Sequence, residues 1–139
     1  MDSTMIDNIT VPDHHQILLD AATEGNIKPF EQFAEPINLI VTPNRSSVLH
    51  INITSEKVSK EFVEEILGIC PSLLVQVNAQ DDTPLHVAVK FERIDVVKAL
   101  IKKAKDIQRP EELESGIGTE LLRMTNNKGN TALHEAMRN

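Results

Sequence analysis

Three histidines occupy equivalent places in this chain, and histidine is both a common metal ligand and a common general base. His50, His86 and His134 each follow a leucine and stand three residues after a serine or threonine. Two imidazoles that bind one zinc ion need nitrogens within roughly 4 Å of each other, because a Zn–N bond is about 2.1 Å long. Equivalent positions on neighbouring helices lie about 8–10 Å apart. The spacing therefore predicts no shared metal; each imidazole is expected to hydrogen-bond its own serine or threonine.

The other residues with chemical potential do not form a catalytic pattern. His14 and His15 are adjacent, and adjacent residues do not share a helix face. The pair at 134–135 begins like a zinc-protease motif, but Arg138 stands where the second histidine is required. The sequence therefore predicts no enzyme, no metal site and no cofactor. Adjacent acids are expected on exposed helix faces or turn tips: Glu64-Glu65, Asp81-Asp82 and Glu111-Glu112.

Composition limits the class of protein. The 139 residues fit one domain, and a formal net charge of −7 argues against the basic face that nucleic-acid binding needs. Cys70 is the single cysteine, so no internal disulfide forms, which fits a reducing compartment. The N-terminus carries acids and no apolar run, which is unlike a signal peptide, and no apolar run is long enough to span a bilayer. We expect a cytoplasmic segment without direct membrane insertion.

The histidines belong to a repeated stretch of sequence. Residues 47–53, 83–89 and 131–137 share a Ser or Thr, a Leu-His pair and an apolar tail. The Leu-His pairs begin at positions 49, 85 and 133, so the intervals are 36 and then 48. Repetition at a period of about 20–50 residues is typical of stacked-repeat proteins, in which neighbouring units bury a continuous core.

A second pattern follows each of the first two copies. Residues 62–67 and 96–101 have apolar side chains at i, i+1, i+4 and i+5, which is a broad stripe on a helix. The offset between these two stripes is 34, two fewer than the interval between the first two Leu-His pairs. Each unit is therefore predicted to contain a short helix, a tight turn and a longer helix. The first copy should have two extra residues in its turn, near residues 54–59.

The repeated positions have predictable structural roles. The residues before each first helix can bind its free backbone N–H groups, and Pro84 suits the first helical position. Asn52 stands where other copies have alanine, and a buried asparagine needs hydrogen-bond partners. The expected capping residues are Ser47, Thr83 and Thr131, and the leucines expected in the core are Leu49, Leu85 and Leu133.

Turn residues link the units. Asp81 and Gly129 stand where a left-handed backbone is expected. In the link before the second unit, Arg45 stands at the equivalent position. Either that turn is distorted or Asn44 takes the strained left-handed backbone. Pro71 cannot continue the preceding helix.

A degenerate unit precedes these copies. Leu18 matches the repeated leucine, the turn lies at 25–26, and Ile27, Phe30 and Phe33 continue the apolar pattern. Terminal units of a stack are expected to be atypical. The predicted lead-in is 1–14. Three units follow at 15–44, 45–79 and 80–125, and the third contains an insertion near 105–120. A truncated fourth unit is predicted at 126–139.

These residues resemble the ankyrin repeat. The run Thr83-Pro84-Leu85-His86-Val87-Ala88 matches the Thr-Pro-Leu-His-x-Ala signature. The resemblance covers about residues 15–139 and implies an all-α solenoid of helix–turn–helix units joined by β-turn fingers. The interval of 48 exceeds the usual repeat of about 33 residues by roughly 15. Insertions in solenoids form surface loops, often on the binding face; the alternative is a solvated loop without a role.

A narrower resemblance is to plant ankyrin proteins of the accelerated-cell-death type. It rests on residues 71–74 with Asn78, on residues 83–86, and on residues 126–136. It implies a longer parent protein with further repeats and a multi-helix PGG membrane domain, active in defence, cell-death or salt-stress signalling. This chain contains no such membrane segment.

The predicted function is protein binding. Stacked repeats offer partners an extended concave surface. The alternative is a truncated isoform or fragment with a structural or self-association role, because the expected second helix of the fourth unit is missing and Leu133 and Met137 would then lack part of their cover. The expected lining consists of turn tips and the exposed face of each first helix: Gln80, Asp81, Asp82, Val87, Lys90, Asn127, Lys128, Glu135 and Arg138.

Overall fold

A computed structural model of the chain describes residues 13–33, 35–107 and 117–138. Its described elements are α-helices and two short 3-10 helices, with a single isolated bridge between Val41 and Ser47. The fold is therefore all-α, as predicted. The α-helices are α1 (Asp13–Glu24), α2 (Lys28–Glu31), α3 (Val48–Thr54), α4 (Lys60–Ile69), α5 (Pro84–Lys90), α6 (Ile94–Ile107), α7 (Ile117–Arg123) and α8 (Ala132–Arg138); the 3-10 helices are Ile37–Leu39 and Pro71–Val75.

The helices form two rows. Helices α1, α3, α5 and α8 pack in sequence order as an inner row, and α4 packs on α6 in an outer row. Each central unit pairs one inner with one outer helix, α3 with α4 and α5 with α6. Because each helix contacts mainly its neighbours in the array, the chain is a short solenoid of helix–turn–helix units.

The inner helices begin where the sequence predicts. The side chains of Ser47, Thr83 and Thr131 accept hydrogen bonds from the backbone N–H of the histidine three residues later. Pro84 occupies the first turn of α5. These caps satisfy N–H groups that a helix start leaves free.

The core is mainly aliphatic and continuous between the rows. Leu100 of α6 is buried, and so are the four apolar side chains of the predicted α4 stripe: Phe62, Val63, Ile66 and Leu67. Phe30 of the first unit meets Phe62 edge to face, with ring centroids 5.7 Å apart. Such pairs stabilise by about 0.5–1.5 kcal/mol beyond the area that they bury.

The turns between paired helices confirm the predicted difference in length. Residues 55–59 separate α3 from α4, whereas residues 91–93 separate α5 from α6. Asn52 uses the longer turn: its side chain donates to the Ala22 carbonyl at 2.9 Å and accepts from the Ser59 N–H at 3.2 Å. The predicted need for partners is thus met on both sides of this buried amide.

The first unit departs from the predicted short-then-long order. Its first helix, α1, has 12 residues, and its second, α2, has only 4. Pro36 follows closely, and a proline disfavours helical backbone in the residue before it. The turn at Gly25 was predicted correctly, with a left-handed φ of 73°.

The predicted insertion at 105–120 is partly helical. Residues 108–116 lie outside the described part of the chain, but α6 continues to Ile107 and α7 begins at Ile117. Helix α7 packs on α6, and Leu121 is fully buried. The end of the insertion is therefore part of the packed structure, which corrects the expectation of a surface loop there.

The last inner helix is the least covered. Leu133 and Met137 of α8 are 70% and 77% exposed, whereas Leu85, the equivalent of Leu133, is 2% exposed. Helix α5 contacts α3, α6 and α8, but α8 contacts mainly α5. Leu133 therefore does not reach the core position expected from the repeat, whereas the expected loss of cover at Leu133 and Met137 is seen, because no second helix pairs with α8 in the described structure.

Candidate partner-binding surface

Three turns project between the units, and we call them the fingers: residues 42–46, 78–82 and 126–130. In each finger the first and last residues pair through the backbone, with N–O distances of 2.9–3.1 Å. The fourth residue has positive φ, 68° at Arg45, 62° at Asp81 and 77° at Gly129. The left-handed positions predicted for Asp81 and Gly129 are confirmed. In the earlier finger, Arg45 itself takes the left-handed position and Asn44 does not.

Side chains at the base of the fingers hold these turns. The Asn78 side-chain oxygen accepts from the backbone N–H groups of Gln80 and Asp82, both at 3.0 Å. Asn126 does the same for Lys128 and Asn130. Asparagine readily bonds the backbone two residues ahead, which is why it favours such turns. These side-chain hydrogen bonds therefore hold the backbone of the finger tips in one conformation.

Backbone hydrogen bonds also join one finger to the next. The Ala79 N–H donates to the Asn44 carbonyl at 3.0 Å, and the Asn127 N–H donates to the Gln80 carbonyl at 2.9 Å. The three tips therefore form a row with fixed spacing. A partner that contacts this row meets a preorganised surface, which lowers the ordering cost of binding.

The histidines of the inner helices join the units a second time. The His50 Nδ1 accepts the Ser47 backbone N–H at 3.1 Å, so its hydrogen is on Nε2, which donates to the Asp82 carbonyl at 2.9 Å. His86 repeats this arrangement with Thr83 and with the Asn130 carbonyl at 2.8 Å. The local bonds match the sequence prediction.

The bonds from Nε2 to the following unit were not predicted. The equivalent positions of the histidines in successive units are the sequence feature that indicates such bonds.

Burial lowers the pKa of His50 below its usual value, because a charged imidazole loses its hydration inside the stack. The bond to the Asp82 carbonyl and the charge of the Asp82 carboxylate oppose this shift. The neutral imidazole is also the form that the geometry requires, since Nδ1 must accept a hydrogen bond.

The nine residues expected to line the binding surface differ in their exposure. Gln80, Asp81, Asn127 and Lys128 are exposed on the finger tips. Asp82, Val87 and Glu135 are buried, so their expected exposure is wrong. Lys90 is half-buried, and the side chain of Arg138 lies outside the described part of the chain.

The buried acids belong to a polar network between the third and fourth units. Lys90 Nζ lies 2.8 Å from Asp82 Oδ2. The amide nitrogen of Asn126 donates to Asp82 Oδ1 at 2.9 Å and to Glu135 Oε2 at 2.8 Å. A buried carboxylate is tolerated only when it is paired and hydrogen-bonded in this way. The network therefore positions the last finger and is not available to a partner.

The first finger adds two surface residues that the sequence prediction omitted. Asn44 and Arg45 are exposed and align with Gln80 and Asp81 through the finger ladder. The alignment of the three turns was a sufficient signal for including them. We call six of the exposed finger residues the tip row: Asn44, Arg45, Gln80, Asp81, Asn127 and Lys128.

An open groove of about 620 Å³ lies at the opposite end of the helices, between the first turns of α4 and α6. Arg93 is fixed there by bonds to the carbonyls of Ile53 at 3.0 Å and Ser55 at 3.1 Å. These bonds cap the C-terminus of α3 and link the second unit to the third. The groove therefore contains a structural contact.

The described ranges also bear on metal binding and on membrane insertion. No group of three or more His, Cys, Asp or Glu side chains there is arranged to hold a metal ion. None of the helices in those ranges combines the length and apolar character needed to cross a bilayer.

Comparison with known proteins agrees with this architecture. The profile of the family described as "Ankyrin repeats (3 copies)" matches residues 18–111. The chain is 31% identical over 102 residues to Protein ACCELERATED CELL DEATH 6 of Arabidopsis thaliana, an alignment that covers 73% of this chain and 15% of that protein. It is 26% identical over 99 residues to the Nuclear factor NF-kappa-B p105 subunit of Gallus gallus, covering 68% and 10% respectively. The chain thus spans a small part of either relative.

Proposed function

Because the chain belongs to the ankyrin-repeat family, a non-catalytic interaction fold, we propose that it is not an enzyme and that it binds a protein partner through the tip row. The observation that carries the proposal is the ladder of backbone bonds from Ala79 to Asn44 and from Asn127 to Gln80. It holds exposed side chains from three successive units in one rigid row. Rigid surface loops on a scaffold are common sites of recognition.

The charges along the tip row suggest the chemistry of the partner. Arg45 and Lys128 are exposed at its two ends, and Asp81 is exposed between them. Complementary charge mainly sets specificity and the rate of association. We therefore propose a partner segment that presents acidic groups at both ends and a basic or hydrogen-donating group in the middle.

The test uses Asp81→Asn, which removes the central charge while asparagine still tolerates the left-handed backbone. A photo-crosslinking residue at Gln80 first identifies proteins bound at the tips, with the same probe at the exposed Glu65 of α4 as a background control. We expect Asp81→Asn to weaken capture by about 3–10-fold, the range of roughly 1 kcal/mol for one charged contact. Glu65→Gln is the matched charge-removal control. Equal capture at positions 80 and 65 would contradict the proposed surface.

We further propose that the chain is the ankyrin portion of a larger plant signalling protein concerned with defence, cell death or stress. Its support is the 31% identity to Protein ACCELERATED CELL DEATH 6, of which it covers 15%. We place it in the cytoplasm, at the cytosolic face of a membrane if the parent carries membrane helices. Sequencing the source transcript past the codon for Asn139 tests this. A reading frame that continues into further repeats and long apolar segments is the expected result, and an immediate stop codon would contradict it.

A second candidate function is self-association through the fourth unit. The observation that favours it is the exposure of Leu133 and Met137 on α8. Two large apolar side chains on one short helix form a surface that gains free energy when it is covered, about 25 cal/mol per Å². The mass of the chain in solution as a function of concentration tests this candidate.

A further inference from the structure

The groove between the first turns of α4 and α6 has features that the capping role of Arg93 does not explain. Its walls are residues 58–61 and 92–96, which belong to consecutive units and lie within the described chain. Ile94 is 60% exposed on one wall, and Phe91, just before this wall, is 48% exposed. Single exposed apolar residues are common, but two large ones beside an open groove mark a candidate contact site. We call it the turn groove.

The fold does not require apolar side chains at these two places. Lys60 and Ile94 are the first residues of α4 and α6, and Lys57 and Phe91 each lie three residues earlier. The second unit therefore has an exposed lysine at both positions where the third unit has an exposed apolar residue. Because a lysine is accepted at each place, packing within the unit does not account for Phe91 and Ile94.

Glu92 stands on the turn groove in an unfavourable backbone conformation. Its φ is 57°, in the left-handed region. The equivalent residue of the first unit is Gly25, since each lies two residues before the matching Ile27 or Ile94, and its φ is 73°. Glycine adopts this conformation without a steric penalty, whereas a residue with a Cβ atom does not. Such an outlier points to a role for the side chain beyond the turn itself.

Arg93 fixes the part of the turn groove that carries the apolar residues. Its guanidinium group bonds the carbonyls of Ile53 and Ser55 and lies 6.0 Å from the centre of the Phe91 ring. A cation at this distance from an aromatic ring is attracted to it. The groove is therefore held in place by the preceding unit, and a preorganised site loses less conformational freedom when a partner binds.

The charges at the turn groove define the chemistry of its occupant. Lys60 and Arg93 contribute positive charge. Neither Glu92 nor Asp95 forms an ion pair with the residues that the structure describes. Acids in the first turn of a helix favour its dipole, but this does not account for Glu92, which precedes α6. Three exposed carboxylates line the groove: Glu61, Glu92 and Asp95.

From the exposed apolar pair and these carboxylates, we infer that the turn groove is a second protein-binding surface. Its partner is a segment in which an apolar side chain stands between lysine or arginine residues. The apolar side chain covers Ile94 and Phe91, and the cations meet Glu92 and Asp95, since complementary charge sets specificity. The inference goes beyond the proposed function, because the tip row lies at the other end of the helices and favours acidic groups.

Amide chemical shifts of the full chain, titrated with a synthetic peptide, test this inference. The peptide contains two leucines flanked by lysines, and a second peptide with glutamates in place of the lysines is the charge control. We expect saturable shifts at residues 58–61 and 92–96 with the basic peptide and none with the acidic peptide. No saturable shifts, shifts confined to other residues, or an equal response to both peptides would overturn the inference.

Glu92→Gly separates binding from folding, because it removes a carboxylate and also suits the left-handed backbone. We expect the affinity for the basic peptide to fall about 2–5-fold, as for one exposed ion pair, while the urea midpoint rises. Glu65→Gln removes the same charge from the exposed face of α4 and is the matched control. An equal loss of affinity in the two variants would show that only the net charge matters and would overturn the inference.

Ile94→Lys installs the residue that the preceding unit has at the same place. We expect the affinity to fall about tenfold, since an apolar anchor is lost and a like charge is added. Leu39→Lys is the matched control, because Leu39 is 63% exposed in the 3-10 helix Ile37–Leu39, outside the groove. Circular dichroism confirms that both variants are folded. A loss in Leu39→Lys as large as in Ile94→Lys would argue against the turn groove as the binding site.

Discussion

At the scale of the residue, the inner-helix histidines decide how the units are joined. One imidazole nitrogen closes the cap of its own helix, and the other bonds a carbonyl of the following unit, 32 residues away for His50 and 44 for His86. A residue that bonds on both sides must keep one tautomer. The histidine of the repeated stretch is therefore a structural link between units.

Replacing His50 with alanine should lower the free energy of unfolding by about 2–4 kcal/mol. The change leaves the buried Ser47 N–H without its partner, which costs about 1–3 kcal/mol. It also removes one donor from the Asp82 carbonyl, which keeps the Asn78 N–H, and such a lost hydrogen bond adds about 0.5–1.5 kcal/mol. Urea unfolding followed by circular dichroism gives the value. His134→Ala is the matched control and should cost less than about 1 kcal/mol, because His134 is exposed. Equal losses in the two variants would contradict the bridging role.

The neutral state of His50 also predicts a dependence of stability on pH. Burial lowers its folded-state pKa, so below about pH 6.5 the unfolded chain binds more protons than the folded chain. Stability from this group should be complete above about pH 6.5 and should fall as the pH drops through the lower folded-state pKa. Urea unfolding at a series of pH values on both sides of this point measures the trend. His50→Gln should flatten it, and a fall that is as steep in that variant as in the unmodified chain would argue against His50 as the source.

At the scale of the element, identical sequence patterns have different surroundings. Helices α5 and α8 start with the same cap and the same Leu-His pair, but α5 is covered by α3, α6 and α8, while α8 packs mainly on α5. The pattern fixes which residues share a helix face. The neighbouring helices determine whether that face is buried.

Leu85→Ala and Leu133→Ala compare the two settings directly. Leu85 is buried in the core, and truncating such a leucine should cost about 2–5 kcal/mol because it leaves a cavity. Leu133 is largely exposed, and truncating an exposed side chain should cost less than about 0.5 kcal/mol. Thermal and urea unfolding of both variants give the difference. A similarly small loss for Leu85→Ala would show that this leucine is not a core residue.

At the scale of the whole molecule, the chain is a set of units held by three kinds of link. Fingers bond fingers through the backbone, histidines bond the next finger, and Arg93 bonds the end of the preceding inner helix. Since each link joins adjacent units, stability is a sum of unit and neighbour terms. Local changes therefore affect mostly the adjoining units.

Amide hydrogen exchange should reveal the finger ladder. Ala79 and Asn127 are exposed on the tips, but their N–H groups donate to the preceding finger, so we expect slow exchange. The Asn44 N–H has no backbone acceptor among the described residues and should exchange quickly. Exchange measured by NMR compares the three amides in one sample. Equally fast exchange at all three would mean that the fingers are not coupled in solution.

The sequence alone determined the repeat, the caps, the turns and the apolar stripes. These depend on residues at most a few positions apart, for example Ser47 with His50, and the spacing of such residues encodes their contact. It also indicated the left-handed place in two of the fingers, since asparagine, aspartate and glycine mark such turns.

Only the tertiary structure decided which side chains remain accessible. A single unit leaves one finger residue, Asp82, and two inner-helix residues, Val87 and Glu135, open, and they are buried because neighbouring units pack on them. The long-range bonds of His50 and His86 have the same origin. Burial and pairing between units depend on stacking, and no residue pattern within a single unit specifies that stacking.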